Sequence, residues 1–201
     1  MSDLDKKKIA TFISAAMNAP LIALLTFVPL ILSQRHESQM LLIGVTTLFG
    51  AILPLSSTYY LVRKGIIQDI YASDRASRTE PFVWAMASYL LGVTALLYFE
   101  APFVVTALMA CYLVNAIIML LITMSWKISI HAVGVTGPIT ALVFQLGARM
   151  IPFFLLMLPV AWARIELKAH NAKQVIAGAV LSTILTWFQM VFYVNFLLPM
   201  I

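Results

Sequence analysis

Long apolar runs separated by short polar islands order this chain from end to end. The runs fall at 9–32, 39–62, 82–99, 102–124, 132–147, 150–163 and 173–198. An α-helix crosses a bilayer with roughly 20 apolar residues. The pattern therefore predicts an all-α, polytopic membrane helical bundle with about seven transmembrane helices, a single integral membrane domain over 1–201. Prolines inside the runs (Pro20, Pro29, Pro54, Pro138, Pro152, Pro159) fit such a bundle, because packed neighbours re-satisfy the backbone groups that proline frees.

Composition agrees. Hydrophobic residues make up 62% of the chain and charged residues 10%, whereas a soluble domain keeps about 25% charged residues for its surface. The net charge of +5 does not point to nucleic acid, because basic residues beside apolar spans mark cytoplasmic loops. Cys111 is the sole cysteine, which excludes an intramolecular disulfide and a cluster of thiolates. The basic start "KKKIATFISAAMNAPLIALLTFVPLIL" leads into an apolar run longer than the core of a cleaved signal peptide, and it reads as a retained first span.

Counting runs from a cytoplasmic N-terminus places 63–81, 125–131 and 164–172 in the cytoplasm. The inner side then holds Lys6, Lys7, Lys8, Arg63, Lys64, Arg75, Arg78, Lys127, Arg164, Lys168 and Lys173, and the outer side Arg35 and Arg149. This positive-inside bias sets the orientation in the plasma (inner) membrane. It requires 132–163 to be a hairpin turning near "QLGARM" (145–150), where Gly147 relaxes the backbone and Arg149 seeks water. A single long helix there would send 164–172 to the other face.

The densest island is "WARIELKAHNAKQVIAG" (162–178), which gathers Arg164, Glu166, Lys168, His170 and Lys173. With "QDIYASDRASRTEPF" (68–82) and "SWKISIHAVG" (125–134) it places a set of cations around one face: Arg75, Arg78, Lys127, Arg164 and Lys168. Such cations suit a phosphate, but alone they also describe solvated loops whose long side chains snorkel to headgroups. His131 and His170 add chemistry. One imidazole can attack phosphorus while the other protonates the leaving oxygen, with the cations neutralising the equatorial oxygens. That scheme needs no metal and no cofactor.

These residues resemble the type 2 phosphatidic acid phosphatase superfamily over about 64–178. "ARIELKAH" is similar to the third motif, SR-x5-H-x3-D, with Arg164 and His170 in place. "ISIHAVG" is similar to the second motif, PSGH, through Ser129 and His131. "DRASRTEP" is similar to the end of the first, K-x6-RP, with Arg78 as its arginine and Arg75 as a substitute for the lysine. The resemblance implies a phosphatidic-acid-phosphatase-like core that hydrolyses a lipid phosphate or diphosphate without metal. His170 would be the nucleophile that forms a phosphohistidine and His131 the general acid. Arg78, Arg164 and Ser129 would bind the phosphoryl oxygens, assisted by Lys127 and Arg75. The partner is a phosphorylated membrane lipid, and an oligomer or membrane complex is compatible with the same surface.

The chain departs from the family pattern at named positions. Ala163 replaces the serine before Arg164, Lys127, Ile128 and Ile130 replace the proline and glycine around the second motif, and Tyr71 stands where the first motif has lysine. Gln174 occupies the place of the aspartate that orients the nucleophilic histidine. Residues four apart on a helix are neighbours, so Gln174 can accept the Nδ1–H of His170, and Glu166 is the second candidate for that role. The alternative reading is a catalytically inactive relative serving as a lipid-binding or assembly subunit. Asp69 and Asp74 suggest an Asp-rich prenyltransferase, but no second Asp-rich loop accompanies them. Glu166, His170 and His131 have the ligand types for zinc. A transporter is disfavoured because the apolar blocks within 9–62 and 82–124 contain no membrane-embedded acid or base.

Overall fold

Each apolar run folds into helix because, away from water, only a helix satisfies every backbone N–H and C=O within its own segment. The computed structural model describes residues 2–70 and 74–197; Tyr71 lies outside the described residues. The helices are α1 (Asp3–Ala16), α2 (Ala19–Leu32), α3 (Gln39–Thr47), α4 (Leu53–Arg63), α5 (Thr79–Tyr98), α6 (Phe103–Ser125), α7 (Ile130–Leu146), α8 (Met157–Glu166) and α9 (Ala172–Phe192). Among the described residues there is no β-strand. A π-helical turn over Leu48–Ile52 joins α3 to α4, so that Gln39–Arg63 is one helical segment of 25 residues. A 3₁₀ stretch over Ala148–Leu156 leads into α8 and gives a segment of 19 residues, Ala148–Glu166.

Among the described residues, five segments are long and apolar enough to cross a membrane: Gln39–Arg63, Thr79–Tyr98, Phe103–Ser125, Ala148–Glu166 and Ala172–Leu197. Counted as one broken span, the bent pair α1 and α2 brings the number to six. The expected seven is reduced because α7, with 17 residues, is short. The expected first span over 9–32 is broken as well, by a bend of 46° between α1 and α2. Its cause is local. Asn18 caps α2 through its side chain, which accepts the Leu21 N–H at 3.0 Å. Pro20 follows in the first turn, where its missing N–H is harmless.

The chain reverses at Gly147, whose φ of 84° lies in the left-handed region open to glycine. Arg164 at the end of α8 therefore returns to the end of the bundle where α7 begins. Both its guanidinium and the ring of His131 reach Ser14, at 3.3 and 3.2 Å. The run 132–163 is a hairpin.

Close packing follows from small residues. A Cβ on Gly134 would stand 2.7 Å from the Cβ of Ala19, and one on Gly178 would stand 2.7 Å from the carbonyl oxygen of Ser129. These two glycines let α2 and α9 press against α7, as small residues do where membrane helices meet. Polar side chains tie the same helices together. Thr136 Oγ1 donates to Ala179 O at 3.1 Å, and Ser182 Oγ donates to Val133 O at 3.1 Å. Bonds of this kind average about 0.6 kcal/mol in membrane bundles, so apolar packing dominates. Phe27, Leu30, Leu42, Leu96, Leu108 and Met109 are buried together between α2, α3, α5 and α6. Leu25, Leu90, Leu121, Ile176 and Phe188 face outward, exposed as lipid-facing residues are.

Candidate functional site

The C-terminal turn of α8 sets the geometry. Lys168 takes a left-handed conformation (φ 52°), its N–H donates to Ile165 O at 2.9 Å, and the Ala169 N–H donates to Arg164 O at 3.1 Å. This pattern closes a helix by satisfying its last carbonyls. It turns the chain so that the His170 N–H also bonds Arg164 O, at 3.1 Å. Asn171 then caps α9: its Oδ1 accepts the Gln174 N–H at 3.0 Å, and Gln174 Oε1 accepts the Asn171 N–H at 3.3 Å. This reciprocal capping favours Gln or Glu at the third helical position.

Gln174 Oε1 also lies 3.0 Å from His170 Nδ1. An amide oxygen only accepts, so Nδ1 carries the proton and the lone pair sits on Nε2. That nitrogen is 3.4 Å from Arg78 Nη2, which donates to it. Arg78 is 4% exposed, and its Nη1 donates to Ile128 O at 2.9 Å. Arg164 is 3% exposed and donates from Nη1 to Ser14 Oγ. His131 faces the Ser14 carbonyl, which can only accept, so its Nε2 is protonated. Ser129 is fully buried; its hydroxyl caps α7 at Ala132 N and its N–H donates to Gln174 O at 3.3 Å.

The structure thus gathers His170, Gln174, Arg78, Arg164, Ser129 and His131, with Lys127 within electrostatic reach of both arginines. It does not gather all the expected residues. Arg75 is exposed and donates to Met124 O at 3.0 Å, beside a separate small pocket with Thr79 and Thr123. Glu166 is half-buried, and the His170 proton goes to Gln174 instead. Among the described residues no three His, Cys, Asp or Glu side chains converge as metal ligands would, so Glu166, His170 and His131 do not form a set. Ser14 and Asn171 belong to the site and were not expected. Asn171 carried a legible signal, the Asn-x-x-Gln capping pattern, whereas Ser14 sits in an apolar run with nothing to mark it.

The electrostatics are those of an anion site. Burial first, and then the neighbouring Arg164, lower the Arg78 guanidinium to about 10, with Asp69 and Asp74 partly offsetting them. It stays charged at neutral pH. Lys127 is lowered by burial and by Arg78 and Arg164. His170 is pushed down to about 4 by burial, against the Gln174 hydrogen bond and helped by Arg78, Arg164 and Lys127. Helices α2, α5, α7 and α9 begin at this end of the bundle while α1, α6 and α8 end there, so their dipoles offset one another and the charge of the site comes from its side chains.

The depressed His170 has a consequence for stability. Unfolded, it binds a proton near pH 6.5; folded, it does so near 4. Its contribution is present above the unfolded value and is lost as pH falls from 6.5 toward 4. Melting temperature in detergent should drop across that window, and His170→Gln should make the drop shallower, the remainder coming from His131, which burial and then Arg164 lower to about 3. An equally steep drop in the variant would show that other groups set it.

Behind Arg78 and His131 a half-open pocket of about 220 Å³ lies between α2, α4, α5, α6 and α7.

Comparison of the chain with family models, curated proteins and solved structures finds no match in any of the three. The class of protein is therefore read from the fold alone, an all-helical bundle whose long apolar helices suit a membrane.

Proposed function

We propose that this protein is a phosphatase of the inner membrane that hydrolyses a lipid phosphate or diphosphate through a phosphohistidine, without metal. One observation carries the reading: a histidine whose Nδ1–H is held by Gln174 while its Nε2 lone pair meets the buried Arg78. A phosphoryl group drawn to Arg78, Arg164 and Lys127 takes Arg78 off Nε2 and puts phosphorus in its place. His170 Nε2 then forms the N–P bond as the ester P–O bond breaks. His131, neutral at rest, takes up the proton carried by the phosphate monoanion of the substrate and passes it to the departing oxygen. Water next attacks phosphorus and returns a proton to His131, and the N–P bond breaks to release inorganic phosphate. The two buried guanidiniums neutralise the transferring group in surroundings where water does not compete. In this reading the site faces the cytoplasm.

A second reading, an inactive lipid-binding or assembly subunit, is favoured by the uncharged Gln174, which stabilises an imidazolium less than a carboxylate does. The deciding experiment is phosphate release by purified protein from a panel of lipid phosphates and diphosphates in excess EDTA. Turnover should persist, with an acid-labile phosphoryl group trapped on the enzyme. Binding without release would favour the subunit, and activity that returns only with added metal would overturn the metal-free mechanism.

A further inference from the structure

The break between α1 and α2 leaves a backbone acceptor at the site. In a helix that ran on past Ala16, the Asn18 N–H would bond the Ser14 carbonyl. Instead α1 stops at Ala16 and the backbone is extended at Asn18 (ψ 155°), so this carbonyl belongs to a helix end. The ring of His131 takes it, with Nε2 3.2 Å from Ser14 O. The hydroxyl of the same residue accepts from Arg164 Nη1 at 3.3 Å. Ser14 is 1% exposed and Arg164 3%, so this second bond is shut away from water.

A carbonyl only accepts, so Nε2 of neutral His131 carries the proton and the lone pair sits on Nδ1. His170 is the opposite case, with Nδ1 protonated toward Gln174. The two imidazoles of the site therefore rest in opposite tautomers. A proton that His131 takes up must go to Nδ1, and the imidazolium so formed keeps Ser14 O as its acceptor. Burial, and then Arg164, disfavour that imidazolium, and the Ser14 bond opposes them. The C-terminal end of α1, with its negative dipole charge, acts in the same direction as the bond.

We propose that Ser14 is a positioning residue: its carbonyl commits His131 to proton transfer through Nδ1, and its hydroxyl aims Arg164 at the phosphoryl oxygens. The role in turnover rests on the phosphatase reading, whereas the tautomer and the aim of Arg164 do not. Helix α1 holds none of Arg78, Ser129, His131, Arg164 or His170, yet it keeps two of them in register.

Nitrogen NMR of the protein labelled with ¹⁵N-histidine reads the tautomers in detergent without turnover. His131 is assigned by the signals that His131→Gln removes. At neutral pH His131 should be protonated on Nε2 and His170 on Nδ1. Ser14→Ala removes the hydroxyl and keeps the carbonyl. It should weaken the binding of inorganic phosphate about ten-fold, the scale of one hydrogen bond to a charged group, with the His131 tautomer unchanged. In turnover it should raise KM and keep the wild-type ratio of rates for aryl and alkyl phosphates. His131→Gln should do the reverse, slowing alkyl esters about 10²-fold or more beyond aryl esters and binding phosphate within about two-fold of wild type. His131 protonated on Nδ1 at rest would overturn the proposal, and so would unchanged phosphate affinity in Ser14→Ala. The tautomer decides the matter if the alanine variant does not fold. The expected tautomers and phosphate affinities with no release from any ester sink the phosphatase and keep the positioning role. Release by a protein whose His131 has the other tautomer does the opposite.

Discussion

His170→Ala should abolish phosphate release, by on the order of 10⁴-fold or more, the scale of losing a covalent nucleophile. The acid-labile phosphoryl group should vanish with it. Gln174 offers the finer probe, because its one oxygen serves both the Asn171 N–H and the His170 ring. Gln174→Glu keeps that reach and adds a negative charge, which favours imidazolium. The acid limb of kcat/KM, set near pH 4 by the depressed His170, should move up toward the ordinary histidine value. Glu166→Gln should leave the limb in place. A His170→Ala enzyme that hydrolyses at the wild-type rate would end the phosphohistidine mechanism, and a limb that moves with Glu166 would reassign the orienting role.

The second large effect comes from a residue that touches no substrate. Gly178→Val would force a side chain to within 2.7 Å of Ser129 O and 3.3 Å of the Ala132 Cβ. The Ser129 backbone cannot yield cheaply and the Ala132 Cβ has no rotamer to escape by, so α9 must move away from α7, at a cost of about 1–3 kcal/mol for overpacking. The Ser129 N–H to Gln174 O bond at 3.3 Å goes first, and His170 shifts with it. Activity should fall about 100-fold, the scale of a 1 Å misplacement, with a lower melting temperature. Gly44→Ala is the control, since nothing lies within 4 Å of a Cβ there, and it should leave both measurements unchanged. Full activity in the valine variant would mean that the α7–α9 spacing does not position the histidine.

What could be read from the sequence differs by element. The apolar runs gave the helices, because a lipid-exposed segment has few other ways to bond its backbone. The hairpin was legible at Gly147, as glycine alone adopts a φ of 84° without strain. Arg78, His131, Arg164 and His170 were legible because ionisable groups stand out against an apolar chain. The break between α1 and α2 was written as Asn18 and Pro20, a cap and a first-turn proline, yet continuous hydrophobicity concealed it. Arg75 was drawn in by its charge alone, and charge does not say which way an arginine points. Ser14 could not be foreseen, since its role depends on a meeting of α1 with α7 and α8 that no local pattern encodes.

That meeting also bears on how the protein is made. Ser14 waits 117 residues for His131 and 150 for Arg164. At roughly 5–20 residues per second on the ribosome, Arg164 follows Ser14 by about 8–30 seconds. During that interval the hydroxyl and carbonyl of Ser14 must be served by water or lipid headgroups, with α1 uncommitted while the middle helices insert. The hairpin of α7 and α8 is what gives α1 its place, so a nascent chain halted before residue 164 has most of its helices and no site.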